Sequence, residues 1–135
     1  MINLSNDDDL TLAAGQSITF DLVPLKTGRC EYHRAGSAVV SLNGCGNIFE
    51  IDFSANIGAT APGVAQLSIM LDGEALVEGT MISTTAAAGD LNNVAKPGIR
   101  VRNVNCTSSR VSVQNTGTTE ITVGKGSLLS IKRVA

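Results

Sequence analysis

Eleven residues, NIFEIDFSANI from Asn47 to Ile57, set the strongest limit on how this chain can fold. Phe49, Ile51, Phe53, Ala55 and Ile57 fall on alternate positions, with Glu50, Asp52, Ser54 and Asn56 between them. Side chains of a strand point to opposite faces in turn, so a period of two gives one dry side and one wet side. A helix would scatter the same apolar residues around its circumference. This stretch is therefore a long strand lying on a core.

The pattern recurs in shorter form. Gln16–Val23 alternates Ile18, Phe20 and Leu22 against Thr19 and Asp21, and Ser37–Leu42 is short and β-rich. VAQLSIML and ALVEGTMIS flank Asp72-Gly73-Glu74. Asp-Gly between alternating runs is a hairpin signal, because a type I′ turn needs positive φ at both central residues. Gly98–Val104, Ser109–Asn115, Glu120–Gly124 and Ser127–Val134 follow, separated by turn-forming clusters. Short strands at such close spacing predict an all-β protein, an antiparallel sandwich or barrel. Ser83–Gly98 carries an alanine run broken by Gly89, Asn92, Asn93 and Pro97, which predicts a long loop with at most one helical turn.

With 135 residues the chain fits one domain that can bury a core without staples. Aromatic residues make up only 3%, so the interior must be Val, Ile, Leu and Ala around Phe20, Phe49 and Phe53. The expected core includes Phe49, Ile51, Phe53, Leu67, Ile69, Val111, Val113, Leu129 and Ile131. A net charge of −2 gives no overall basic footprint for nucleic acid and little attraction to anionic membranes. The first residues, MINLSNDDDLTL, have neither a basic n-region nor a long apolar run, and no stretch reaches the length of a spanning helix. Synthesis in the cytoplasm without a signal peptide is the expectation.

Catalytic patterns are missing. His33 is the only histidine, too few for a His-rich metal site. In CEYHR, Cys30 and His33 are three apart, on opposite faces of a strand, so His33 is read as an ordinary surface or edge histidine. The run Asp7-Asp8-Asp9 lacks the spacing of a calcium loop and reads as a solvated acidic segment. Glu50 and Asp52 share a strand face, as a glycosidase pair would, but no aromatic platform accompanies them; a structural charge network is the reading. Three cysteines, Cys30, Cys45 and Cys106, cannot all pair within one chain. They read as reduced, mostly buried thiols, with a Cys30–Cys45 link as the alternative. No enzyme activity, metal or cofactor is expected.

From Gly44 to Ala135 the order of weak signals resembles a known family. The strand NIFEIDFSANI follows a glycine-bearing turn; an LDGE hairpin, the returning LVEGT, SSRVSVQNTG and a last strand SLLSIKRVA complete the series. The arrangement resembles the jelly-roll heads of the tumour necrosis factor and complement globular-head superfamily. It is most similar to bacterial members at the C-termini of collagen-like spore-filament glycoproteins and to related phage proteins. No collagen-like Gly-X-Y segment precedes it, and Ile48-Phe49 stand where the family often has an aromatic after glycine.

The resemblance implies an antiparallel jelly-roll sandwich of about ten strands, assembled as a homotrimer. It also implies that the strand at 47–57 lies between the last strand and that at 109–115, on a sheet facing the three-fold axis. One outward face would then carry Glu50, Asp52, Ser54, Arg110, Ser112, Gln114, Leu128, Ser130 and Lys132 and meet its symmetry mates. The expected organisation is an N-terminal docking segment, 1–15, and a jelly-roll domain, 16–135. The expected role is a non-enzymatic virion protein, a phage capsid decoration or head fibre. Its partners would be itself and another virion or surface protein held through the N-terminal segment, with no nucleic acid and no membrane. The alternative is a trimeric surface-adhesion or glycan-binding module of the tail-fibre-knob or spore-surface type, using the 83–98 loop.

Overall fold

The computed structural model describes residues 1–103 and 106–135. It contains twelve strands: β1 (Ile2–Ser5), β2 (Leu10–Leu12), β3 (Leu22–Lys26), β4 (Glu31–His33), β5 (Val40–Leu42), β6 (Ile48–Ala59), β7 (Gly63–Leu71), β8 (Glu74–Thr85), β9 (Asn92–Arg102), β10 (Ser109–Asn115), β11 (Ile121–Val123) and β12 (Leu128–Arg133). All pairings are antiparallel, and the strands form two sheets packed as a sandwich.

The long strand organises the first sheet. β9 runs along one edge of β6, from Ile48 opposite Arg102 to Ile57 opposite Asn92. β12 and β11 run end to end along its other edge, pairing with residues 49–54 and 57–59. β1 and β2 in turn pair with β12 and β11, and β3 closes the sheet beside β1. Two pairs of strands are thus two longer strands, each interrupted, so the twelve segments fill ten places. The second sheet has the order β4-β5-β10-β7-β8. Passing from β3 to β4, β5 to β6, β6 to β7, β8 to β9, β9 to β10 and β10 to β11 the chain changes sheet, the wrapping of a jelly roll.

The interior has the composition expected of a chain poor in aromatics. Phe49, Ile51, Leu67, Ile69, Val111, Val113, Leu129 and Ile131 are fully buried and Phe53 nearly so, together with Ile2, Leu4, Ile18 and Phe20. The DG turn forms as the sequence requires, with φ of 52° at Asp72 and 84° at Gly73.

Several expectations change. Ser109–Asn115 does not lie beside Asn47–Ile57: β10 sits in the second sheet between β5 and β7. Residues 1–15 are not a free docking segment. They supply β1 and β2, and Ile2, Leu4 and Leu12 are buried between the sheets. Of Gln16–Val23, only Leu22 and Val23 are in a strand; Ile18 and Phe20 are buried by irregular backbone instead.

The Ser83–Gly98 loop is mostly strand. Propensity counted against it, but β9 is an edge, so Pro97 need not donate on its open side. Pro97 and Gly98 form a bulge opposite Asp52, where Gly98 has a φ of 70° and donates its N–H to the Asp52 carboxylate at 2.5 Å. Val104, placed at the end of a strand from sequence, lies outside the described residues.

The cysteines also differ from expectation. Cys45 and Cys106 form a disulfide that ties the β5–β6 connection to the β9–β10 connection, while Cys30 is free and half-buried. Spacing along the chain could not show this, because the two residues are 61 apart and meet only when the sheets stack.

Candidate association face

The outward side of the first sheet gathers six of the nine proposed contact residues. Cross-strand register sets them in rows. One row is Leu22, Ser5, Leu128, Ser54 and Ala95. The next is Leu25, Asn3, Ser130 and Asp52, ending at the Pro97–Gly98 bulge. The last is Lys132, Glu50 and Arg100. Arg110, Ser112 and Gln114 are not among them. They lie on the outward side of the second sheet, because β10 belongs there.

The face is mixed in character. Glu50 lies 3.6 Å from Arg100 and opposite Lys132, and Asp52 accepts the Gly98 N–H. The two carboxylates are held by structure, as a charge network would hold them. Beside them are three leucines that a sheet face in water would not favour: Leu22, Leu25 and Leu128 are each at least 40% exposed. A depression of about 210 Å³ lies between Leu128, Pro97, Asp52 and Ser54. In the middle of the face, Oδ1 of Asn3 is covered yet has no hydrogen-bond partner. A buried unpaired acceptor of this kind costs about 1–3 kcal/mol unless a partner or water supplies a donor.

The second feature is the open edge of the sandwich. β8 and β9 each have a backbone ladder on one side only. They run side by side with no ladder between them, tied at one end by the Asn92 amide, which donates to the Ser83 hydroxyl at 3.1 Å and to the Thr84 carbonyl at 3.4 Å. Val77 and Ile82 on β8 are 89% and 61% exposed. A shallow groove of about 250 Å³ separates the two edges, bounded by Thr80, Met81, Ile82, Val94, Ala95 and Lys96. Two long unpaired edges with exposed apolar side chains are what natural sheets avoid unless something covers them.

The remaining sequence candidates are accounted for by structure. His33 is buried, not a surface residue; its ring nitrogens lie 3.0 Å from the Val39 carbonyl and 2.9 Å from the Phe20 carbonyl. Cys30 instead neighbours Asn47, whose side-chain amide approaches its sulfur at 3.8 Å. The Asp7–Asp9 run occupies the interruption between β1 and β2. Asp9 accepts the Lys125 N–H at 2.8 Å, and the Asp7 N–H donates to Asp21. Among the described residues, no group of three or more His, Cys, Asp or Glu side chains is placed to hold a metal ion, and no helix is long and apolar enough to cross a membrane.

No protein-family model and no curated protein sequence matches the chain. Among solved structures it is similar to the GH26-CBM35 β-(1,4)-mannanase of Podospora anserina, at 16% identity and a TM-score of 0.38. The match covers 96% of this chain and 28% of that enzyme's. A likeness that shallow carries no argument about function, and the all-β sandwich stands on the chain's own strand pairing.

Proposed function

We propose that this chain is a non-enzymatic, self-associating structural head that assembles as a homotrimer. The observation that carries the reading is the pairing of an apolar face with an apolar open edge on one rigid body. The leucines at 22, 25 and 128 need cover, and so do Val77 and Ile82 on β8. The edge of one copy laid on the face of the next satisfies both. Such a contact is heterologous, and it closes into a ring when the rotation allows. Leucine and valine cover would supply the affinity, while the Lys132–Glu50–Arg100 row would fix register and reject wrong partners.

The strand order supports the jelly-roll sandwich; a place on a phage particle as capsid decoration or head fibre rests on the sequence resemblance alone. The adhesion or glycan-binding alternative keeps the same rigid body but loses the loop assigned to it, since 83–98 is strand on either side of a short turn.

Mass measured in solution tests the association. Three chains are expected for the native protein. Leu25→Asp with Leu128→Asp should give a monomer with unchanged far-UV circular dichroism. A native protein that stays monomeric at working concentration, or a double variant that stays trimeric, would remove the proposal. Imaging of purified particles tests the setting, with the chain on the capsid surface as the expected result and its absence from the particle as the contrary one.

A further inference from the structure

The charges of the sandwich are divided between its ends. At the end where β6 begins, register brings together Lys132, Arg100 and Arg102, with Arg133 opposite Phe49. Lys26, opposite Ile2, and Arg29 in the next turn extend the same end along β3. Arg110 completes it from the second sheet, where its backbone bonds to Asp72. Seven of the ten cationic side chains are thus here with five of the twelve acids, Glu31, Glu50, Asp52, Asp72 and Glu74, leaving +2. The rest of the molecule holds three cations and seven acids, leaving −4, and the two parts give the −2 of the whole chain.

Three of the seven cations at this pole, Arg29, Arg102 and Arg110, have no partner among the described residues. Arg100 pairs with Glu50, and Lys26 lies over the Tyr32 ring, 5.7 Å from its centre. Arg29, Arg102 and Arg110 are exposed and, among the described residues, have no acidic partner within salt-bridge distance; Lys132 stands in the row at the edge of the association face, and the Arg133 guanidinium donates to the Ala135 oxygen at 3.2 Å. Two of the carboxylates nearby have partners, although Oε1 of Glu31 is covered without one. Glu31 is buried with the Met1 ammonium at 3.2 Å, and Asp72 accepts the Arg110 N–H at 2.8 Å. The Cys45–Cys106 disulfide braces two of the connections at this end.

We propose that this pole docks the chain onto a linear phosphate-bearing polymer. Five of the seven cations are arginine, whose planar fork matches phosphate oxygens two at a time. Tyr32 is the one tyrosine, tryptophan is absent, and all three phenylalanines are buried, so there is no row of aromatic platforms for nucleic-acid bases. The exposed large hydrophobic residues of the end, Met1, Leu25, Tyr32 and Val134, are 38–57% exposed and come from four separate segments, which makes a poor wedge for a bilayer. The acidic remainder of the molecule would be turned away from the polyanion, so the charge division also sets the orientation of docking.

The test uses the full chain and three probes: long-chain inorganic polyphosphate, single-stranded DNA without defined sequence, and vesicles containing phosphatidylglycerol. Polyphosphate should bind. With about four phosphate contacts, the affinity should fall roughly fifty-fold between about 50 and about 200 mM salt. Arg102→Gln with Arg133→Gln should weaken binding at least tenfold. Arg102→Lys with Arg133→Lys should retain most of it, and so should Lys96→Gln with Lys125→Gln, away from the pole. Leu128→Asp alone, set away from the pole's cations and expected to weaken the trimer, should still bind, which keeps this result separate from the fate of the trimer. No polyphosphate binding at low salt, or binding indifferent to the Arg102 and Arg133 changes, would overturn the proposal. DNA or vesicles bound tenfold more tightly than polyphosphate would replace its ligand with a nucleic acid or a membrane.

Discussion

The backbone N–H of Ser127 donates to Oδ1 of Asn6 at 3.0 Å, joining the two places where long strands of the first sheet are interrupted. The Ser127 hydroxyl donates to the same oxygen, and the Asn6 amide donates to the carbonyls of Asp8 and Gly124. Both side chains are buried. The side chain of one asparagine therefore satisfies three backbone groups at the two interruptions, while Asp9 takes the Lys125 N–H.

Asn6→Ala should remove that satisfaction at a stroke. The orphaned Ser127 N–H and Gly124 carbonyl would each cost about 1–3 kcal/mol if water cannot reach them. A loss of about 2–4 kcal/mol in urea unfolding is expected. A change below 0.5 kcal/mol would show that the interruption is solvated.

The disulfide predicts a redox-dependent stability. Closing a loop of 61 residues gives about 4 kcal/mol in the chain-entropy model, an upper figure for Cys45→Ser with Cys106→Ser. Non-reducing mass spectrometry should find one thiol open to alkylation after denaturation, that of Cys30. Three alkylated thiols in protein exposed to air would contradict the bond.

Alternation along β6 can be read energetically. Phe53→Ala should cost about 3–5 kcal/mol, since its ring is buried between the sheets. Its neighbour Ser54 faces outward, and Ser54→Ala should stay within about 0.5 kcal/mol. Equal costs at the two positions would deny the single dry face.

Gly58 should tolerate no side chain. A Cβ there would meet the Asp90 carbonyl oxygen in the turn that leads into β9, and a backbone atom cannot swing aside. Gly58→Ala should cost more than about 2 kcal/mol. Gly58 has no positive φ, so a mild effect would mean that the 86–91 turn moves freely.

Charge reversal separates the two outward faces. Lys132→Glu, in the row with Glu50 and Arg100, should weaken association about two- to fivefold, the scale of a rim ion pair. Arg110→Glu, on the second sheet, should leave the trimer mass unchanged. The opposite pattern would move the contact to the other sheet.

The sequence made the inside of this protein readable more fully than its arrangement. Period two at Phe49, Ile51 and Phe53 is a local property, and these side chains are buried together. The DG turn is equally local, two residues whose φ values have little choice. What could not be read was set by neighbours distant in sequence. β1 and β2 are short and polar at alternate sites, and they become strands because β12 and β11 offer them edges. Pro97 argued for a loop, yet it fits an edge bulge. The face at Glu50, Asp52 and Ser54 was legible along one strand, but its neighbours were not. Alternation fixes which side a residue faces and leaves open which strand lies beside it, so Arg110, Ser112 and Gln114 were assigned to the wrong sheet.

Placing β1 between β12 and β3 has a consequence for biosynthesis. The first strand of the sandwich finds one of its neighbours only when β12 has left the ribosome. Until then Ile2 and Leu4 have no finished wall to rest against, and β6 lacks the neighbour that β12 provides. Contacts so far apart along the chain are slow to form. Completion of the first sheet thus waits for β12, and a nascent chain stalled before β12 should be more open to protease at β1 and β6 than the finished domain.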